Sequence, residues 1–254
     1  TGNKRLVKVV KLLCRQKGIS FEWTNVAGSD RSRTLRSFFE MIPKPVQAIF
    51  GLARYLKIHW CFRQIKLTKW YESDADVTLI SFMDNLDQSE LEKGNYVSRY
   101  WGSLSESLNT SNTKVNYLHL FVRDGLIKNA KDALQAVESF NSSSKNIQTH
   151  MPLASFLNTM IIFKTIISWI RLAIKARSIH HQIDYIMRDE ITPWALFIDD
   201  WRESFYGRTA LLNVLNAGLF STAFRSIKKQ RFGVYLQENQ GYEFLLISKW
   251  REFS

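Results

Sequence analysis

The amino-acid sequence predicts an α/β fold in which helices cover both faces of an open, parallel β-sheet. Three short runs rich in apolar and β-branched residues have the composition of buried strands, at residues 76–82, 115–122 and 232–236. A helical pattern follows each run. Strands that alternate with helices favour parallel pairing, because each connecting helix returns the chain to the same end of the sheet.

Two further apolar runs are predicted to be strands. Residues 18–23 have a strand pattern and lead into a loop around Gly28-Ser29-Asp30, and residues 195–198 resemble a core strand that ends in Asp199-Asp200. Residues 141–150 are polar and rich in serine. They are predicted to form a long loop rather than a domain boundary, because the alternation of strands and helices resumes beyond them.

Helices are predicted between the strands. Residues 34–70 are apolar, aromatic and basic, and Pro43 and Pro45 divide this segment because proline removes a backbone donor. Gly94 is predicted to end a polar helix at residues 88–93. Further helices are predicted at residues 104–108, 125–140, 156–174 and 211–227, and after Gly241. We therefore expect a single domain over residues 1–254, with the basic aromatic segment 34–70 and a helical insertion at about 141–190.

The formal net charge of +12 over 254 residues favours polyanionic partners, namely phosphorylated substrates, anionic lipid or nucleic acid. No nucleic-acid-binding motif is present, so a nucleic acid is the least favoured partner and none is expected. Cys14 and Cys61 lack metal-ligand spacing and are expected to be reduced thiols of a cytosolic protein. The first residues lack the apolar core and cleavage site of a signal peptide, so none is expected.

Two basic segments rich in large apolar side chains predict membrane-surface attachment. They are residues 54–69 and residues 156–177. Such a helix can lie in a membrane interface, or it can cover a sheet and bury its apolar face, and the sequence leaves both alternatives open. Lys164 falls near the centre of residues 156–174, which argues against a membrane-spanning helix.

Carboxylates follow three of the predicted strands. The pairs are Asp84 and Asp87, Asp199 and Asp200, and Glu238 and Glu243. Carboxylates at the mouth of a sheet can act as general bases, nucleophiles or metal ligands. Acids at strand ends also cap helices, which is the better explanation for any one of them, whereas the set as a whole indicates a binding or catalytic site.

His119 lies within the strand predicted at residues 115–122, where a lone histidine is more often a core residue than a ligand. We nevertheless expect Asp84, His119, Asp199 and Glu238 to gather at one edge of the sheet, because each lies in or after a predicted strand. The strand before Glu238 is expected to be buried. No phosphate-binding loop, dinucleotide fingerprint or metalloprotease motif occurs in the sequence, and no metal site is predicted.

Five segments together resemble the glycosyltransferase-like proteins of bacterial surface-carbohydrate loci, which make O-antigen, capsule and related polysaccharides. The segments are FMDNLDQ, GNYVSRYWGSL, VNYLHLFV, FIDDWRESFYG and YLQENQGYEFLLISKWR. The resemblance runs from about Val77 to Arg251, with a gap over residues 141–190. Its most specific element is the turn Glu238-Asn239-Gln240 with Glu243, and Tyr242 stands where the family pattern leads us to expect tryptophan.

The resemblance implies one half of an architecture similar to GT-B glycosyltransferases, a Rossmann-like acceptor-side domain. It implies no tightly bound cofactor, and a sugar-nucleotide donor held by the other half of the full-length architecture. The partners it implies are a glycan or lipid-linked glycan acceptor, an anionic membrane surface, and a second Rossmann-like domain or subunit. The implied location is the cytoplasm, peripheral to the inner membrane.

The leading hypothesis is therefore glycosyl transfer to a lipid-linked or polymeric glycan. Asp84, Asp199 or Glu238 would act as the catalytic base, and Arg202 would stabilise the departing phosphate. The other residues expected to bind substrate are Asn85, Asp87, Tyr100, Trp101, His119, Asp200, Asn239, Gln240 and Glu243. The alternative is a non-catalytic module that binds or assembles polysaccharide-synthesis components at the membrane surface.

Overall fold

The computed structural model describes residues 4–24, 42–111, 113–144, 147–186, 194–228, 231–238 and 241–253. Their strands are β1 (Val77–Phe82), β2 (Val115–Leu120), β3 (Gln148–Pro152) and β4 (Phe232–Tyr235). Their α-helices are α1 (Lys4–Gln16), α2 (Lys44–His59), α3 (Thr68–Glu72), α4 (Gln88–Glu92), α5 (Leu104–Thr110), α6 (Ala130–Ser143), α7 (Thr159–Ile186), α8 (Trp194–Phe205), α9 (Arg208–Arg225) and α10 (Gly241–Phe253). Short 3-10 helices lie at Trp60–Gln64, Arg99–Trp101 and Leu153–Phe156.

The sheet has the strand order β3-β2-β1-β4, and every pairing in it is parallel. Val77 of β1 lies opposite Val115 of β2 on one side and Phe232 of β4 on the other. The chain moves outward from β1 through β2 to β3 and then returns to place β4 on the opposite side of β1. This is an open, Rossmann-like α/β sheet, which confirms the predicted fold class. Its strand order reverses between β1 and β4.

Helices cover both faces of the sheet. On one face, the buried His150 of β3 packs against Phe140 of α6, with ring centroids 5.2 Å apart. On the other face, Gly233 of β4 lies directly beneath Trp250 of α10, so that a Cβ at position 233 would be 2.8 Å from the indole ring. Phe82 of β1 meets Tyr242 of α10 on this same face, with ring centroids 6.0 Å apart. The sheet is therefore covered on both sides, as the sequence predicts.

The chain divides into two compact units. The helical unit comprises Thr1–Leu52 and Ile166–Leu212, and the sheet unit comprises Ala53–Thr165 and Asn213–Ser254. All four strands and the helices α3 to α6 and α10 belong to the sheet unit. The described residues of the helical unit include α1 and α8.

Three of the five predicted strands are confirmed, namely those at residues 76–82, 115–122 and 232–236. The strand predicted at residues 195–198 is wrong, because these residues lie in helix α8. Trp194, Trp201 and Phe205 recur at helical spacing around the four-residue apolar run, and Trp201 packs on both other rings, at 5.4 and 4.3 Å. A short apolar run alone does not distinguish a strand from a buried helix segment.

The strand predicted at residues 18–23 is also wrong, since these residues pair with no strand in the described part of the chain. Gly18 instead ends α1 in the left-handed conformation, with φ of 65°. The backbone N–H of Ile19 donates to the carbonyl of Cys14 at 2.8 Å, which closes the last turn of the helix. The loop around residues 28–30, and residues 34–41 of the basic segment, lie outside the described residues.

Strand β3 begins within the segment predicted to be a loop at residues 141–150 and extends to Pro152. The sequence does not predict this strand, because Gln148, Thr149 and His150 are polar and are not typical of a core strand. Asn141 stabilises this edge of the sheet: its side-chain amide donates to the His150 carbonyl at 2.8 Å, and its Oδ1 accepts from the His150 N–H at 2.9 Å. One asparagine side chain thus satisfies edge groups of β3 that a further strand would otherwise bind.

Residues 54–69 pack as a cover over the sheet unit. Phe62 is fully buried, and so is Trp70, which immediately follows this segment. His59 lies edge-on to Phe121, with ring centroids 5.6 Å apart. The basic side chains of Arg54, Lys57, Arg63, Lys66 and Lys69 are exposed. These aromatic side chains pack within the protein, as expected if the segment covers the sheet and buries its apolar face.

Candidate functional site

The candidate site lies at the carboxyl ends of β1 and β4, where the strand order reverses. Asp84 and Asn85 follow β1, and Glu238 follows β4. In open α/β sheets this reversal leaves a crevice, because the neighbouring connections leave in opposite directions. The structure thus brings together Asp84 and Glu238, two of the carboxylates that the sequence predicts at one edge of the sheet.

Asp84 has an environment unlike that of a solvated carboxylate. Burial raises the pKa of Asp84 above its usual range, and the negative charges of Asp124 and Glu238 raise it further. One of its oxygens, Oδ1, is buried and accepts no hydrogen bond from the described residues. A carboxyl group whose pKa is raised towards neutral pH is suited to accept or donate a proton during catalysis.

The turn that carries Asp84 is held by Asp124. Asn85 adopts the left-handed conformation with φ of 49°, which asparagine tolerates better than most residues. Its backbone N–H donates to Asp124 Oδ2 at 3.1 Å, and its carbonyl accepts from the Arg99 N–H at 2.9 Å. These two contacts fix the backbone of Asn85, directly after Asp84.

Tyr100 faces both the carboxylates and solvent. Its hydroxyl lies within hydrogen-bonding reach of the side chains of Asp84 and Asn85. The charge of Asp84 is the main cause that raises the pKa of Tyr100, followed by burial and by the charge of Glu238. Tyr100 is exposed, so its hydroxyl is available to a bound molecule as well as to Asp84.

Trp101 anchors the segment that presents Tyr100. Its indole N–H donates to Ser81 Oγ at 3.0 Å, and the Tyr96 hydroxyl donates to the same oxygen at 3.0 Å. Ser81 belongs to β1, so both contacts fasten the segment to the sheet. Trp101 therefore positions its neighbour.

Glu238 and Glu243 have different environments. Glu238 is exposed, and so are Phe232 and Gly233 of β4, so the expectation that the strand before Glu238 is buried is wrong: β4 lies at the edge of the sheet. Glu243 is only 5% exposed, and its Oε1 accepts from the Glu238 N–H at 2.7 Å. The buried Glu243 thus holds the turn, while the side chain of Glu238 is accessible to solvent and to ligand.

Asp87 acts as a helix cap. Its side chain accepts from the Glu90 N–H at 3.1 Å and from the Ser89 hydroxyl at 2.7 Å, at the N-terminus of α4. The Ser89 hydroxyl is the main cause that lowers the pKa of Asp87, followed by the Glu90 N–H. For this acid the capping explanation accounts for its contacts.

His119 is a core residue. It is fully buried on β2, and its Nε2 lies 3.0 Å from Nδ1 of the equally buried His150. Burial lowers the pKa of His119 to about 3, so its ring is neutral at physiological pH. The side chain packs among rings beneath the strands rather than opening towards the carboxylates, with Tyr96 4.9 Å away.

Asp199, Asp200 and Arg202 do not follow a strand, because α8 replaces the predicted one. Asp199 and Arg202 line a 680 Å³ pocket of the helical unit, together with Ile42, Pro43, Lys44, Pro45 and Tyr206. Among the lining residues that the structure describes, both cations lie close to a carboxylate: Arg202 is 3.8 Å from Asp199, and Lys44 is 3.1 Å from Glu203.

Asp124 is the site residue that the sequence interpretation missed. It follows β2 in the turn Arg123-Asp124-Gly125, and the rule that selected Asp84, an acid just after a strand, also selects it. Asn239 and Gln240 lie outside the described residues. Among the residues that the structure describes, no three His, Cys, Asp or Glu side chains are placed to hold a metal ion.

Comparison with known proteins adds no assignment. No protein-family model matches this chain, and neither curated proteins nor solved structures give a significant match.

Proposed function

We propose that this chain is a glycosyltransferase-like protein of bacterial surface polysaccharide biosynthesis and that its acceptor glycan binds at the carboxyl ends of β1 and β4. The observation that supports this most directly is the Asp84 carboxyl, whose pKa is raised beside Asp124 and Glu238. It lies where α/β sheets bind ligands, within reach of the Tyr100 hydroxyl. Asp84, Tyr100 and Glu238 all lie in segments that carry the resemblance.

The charge of the site favours an acceptor over a nucleotide donor. Asp84, Asp124 and Glu238 together place negative charge at this edge of the sheet, which repels the diphosphate of a sugar nucleotide. The hydroxyl groups of a glycan are uncharged and can donate hydrogen bonds to carboxylates. The site thus suits the acceptor side of a transfer reaction, with the donor bound by another domain or subunit.

Asp84 acts as the general base in this proposal. It accepts the proton of the acceptor hydroxyl while that oxygen bonds to the anomeric carbon of the donor sugar, and the carbon–oxygen bond to the diphosphate breaks. The raised pKa makes ionised Asp84 a stronger proton acceptor than a solvated aspartate. Tyr100 and Glu238 hydrogen-bond the acceptor and orient its hydroxyl towards Asp84.

Asp84→Asn keeps the shape of the side chain and removes the base, so we expect transfer to fall by about 100-fold or more. The measurement uses a strain whose own copy is deleted and which expresses the variant, with surface polysaccharide quantified on gels. Glu252→Gln is the matched control, since Glu252 is an exposed acid whose described partner is Lys249, at 2.6 Å. Full polysaccharide from Asp84→Asn at wild-type protein abundance would refute the assigned role.

Glu238→Gln tests the coupling between the two carboxylates. Removing the charge of Glu238 lowers the pKa of Asp84, so the acidic limb of the pH–rate profile should move to lower pH. The expected shift is a few tenths of a pH unit, since a partly exposed pair interacts by less than about 1 kcal/mol. Transfer is measured in membranes from the complemented strain with a panel of sugar nucleotides. An unchanged acidic limb would mean that Asp84 does not set it.

A further inference from the structure

Helix α7 is apolar on two opposite sides. Its inner side contains Ile161, Trp169 and Ala176, which are buried. The opposite side contains Met160, Phe163, Ile170 and Ile174, which are 58%, 60%, 46% and 66% exposed. Because each helical residue turns by about 100°, these four and the half-buried Ile167 lie along one line of the helix. We call these five residues the α7 stripe.

The α7 stripe differs from the outer face of an ordinary surface helix. A helix that covers a core normally presents charged and polar residues opposite its buried side, whereas a helix apolar on both sides usually has a second apolar environment. Large exposed apolar side chains in a continuous row mark an interaction surface. The row follows the spacing of three and four residues, so one flat surface or one groove can contact all of it.

Basic residues accompany the stripe. Lys164, Arg171 and Lys175 are exposed and lie along one flank of the stripe, and Arg177 lies on the other. The helix contains no carboxylate before Asp184 in its sequence. The surface that α7 offers is therefore both apolar and cationic, which is the combination that binds anionic lipid headgroups above an acyl layer.

We propose that the α7 stripe docks this protein on an anionic membrane surface, with the helix lying in the plane of the interface. The apolar side chains enter the boundary between headgroups and acyl chains, and the flanking cations bind lipid phosphates. No α-helix in the described ranges has the length and apolar character required to cross a bilayer. A second copy fits this surface less well, because pairing two such helices brings like charges together.

This inference is independent of the proposed function and has its own measurement. Purified protein is floated with vesicles of phosphatidylcholine alone or with added phosphatidylglycerol, at low and physiological salt. We expect binding to require the anionic lipid and to weaken with salt, because ions screen surface charges over about 8 Å at physiological ionic strength. Equal binding to both kinds of vesicle, or none, would overturn the proposal.

Matched variants locate the surface. Phe163→Gln should weaken vesicle binding by about 10-fold or more, whereas Phe244→Gln, at a position of α10 that is 79% exposed, should leave it unchanged. Lys164→Glu should reduce the preference for anionic vesicles, and Lys131→Glu, on the exposed side of α6, should not.

Circular dichroism and the thermal midpoint of each variant confirm that it is folded. Equal losses from Phe163→Gln and Phe244→Gln would overturn the assignment to α7. So would an absence of vesicle binding combined with a dimer that Phe163→Gln dissociates, which would make the stripe a contact between copies. Because these measurements contain no glycan, they succeed or fail separately from the transfer experiments.

Discussion

Trp70→Ala is expected to lower the free energy of unfolding by about 3–5 kcal/mol. The Trp70 ring is fully buried and meets Phe156 edge-on, with ring centroids 5.8 Å apart. Its indole N–H donates to the carbonyl of Ala223 at 3.0 Å. One side chain thus connects the short helix α3 to α9, which is distant in the sequence, and its removal leaves a cavity and breaks this hydrogen bond.

Two further variants separate the causes of this loss. Trp70→Phe keeps most of the ring and removes the indole donor, and because the Ala223 carbonyl also accepts from the Ser226 hydroxyl at 2.8 Å, the expected loss is about 1–2 kcal/mol. Trp60→Ala removes a partly exposed indole and should lower the free energy of unfolding by less than about 1 kcal/mol. Urea unfolding followed by circular dichroism gives all three values. A loss from Trp70→Ala no larger than that from Trp60→Ala would contradict this account.

The sequence predicts those strands whose own apolar residues indicate that they are buried. Strands β1 and β2 are buried along most of their length, so apolar and β-branched residues dominate them. Strand β3 is not predicted because its polar side chains find partners that are distant in the sequence, such as His119 for His150. The sequence predicts a strand within helix α8 because a run of four apolar residues is compatible with both the strand and the helix periodicity.

The site was partly predictable for a similar reason. The rule that parallel strands end at the same edge selects Asp84 and Glu238 without any knowledge of helix packing. It fails for Asp199, since the rule depends on a correct strand assignment. The rule also cannot show that Tyr100 reaches Asp84, because the segment carrying Tyr100 is placed by contacts such as the one between Trp101 and Ser81, which lie 20 residues apart. Only the resemblance indicated Tyr100.

The second large effect concerns the buried histidine pair, His119 and His150. With Gln148 Oε1 accepting from His150 Nε2–H at 3.0 Å, His150 Nδ1 accepts from His119 Nε2–H, also at 3.0 Å. His119 Nδ1 has no partner among the described residues. Tyr117 stacks on His150 with ring centroids 4.6 Å apart, and Tyr96 packs on both histidines. In the part of the chain that the structure describes, no negative side chain acts on either ring to compensate a proton.

This environment makes the protein less stable in acid. Burial lowers the pKa of His119 to about 3, and burial followed by the neighbouring His119 lowers the pKa of His150 well below its usual value. In the unfolded chain both histidines bind protons near pH 6.5. Stability is therefore fully present above that pH and falls as the pH drops below it. When the pH is lowered from 7 to 5, each histidine should reduce the free energy of unfolding by about 2 kcal/mol, so the pair should reduce it by about 4 kcal/mol.

Replacing both histidines with phenylalanine tests this directly. The double variant His119→Phe and His150→Phe removes both titrations and both members of the hydrogen bond, so the change in unfolding free energy between pH 7 and pH 5 should shrink by about 4 kcal/mol. His59, whose pKa burial also lowers, is retained in both proteins and cancels in the comparison. His119→Phe alone leaves His150 Nδ1 without its donor. At pH 7 this single variant should therefore have a free energy of unfolding about 1–3 kcal/mol lower than that of the double variant. Urea unfolding at each pH measures these differences, and a pH dependence that the double variant leaves intact would show that other groups cause the loss in acid.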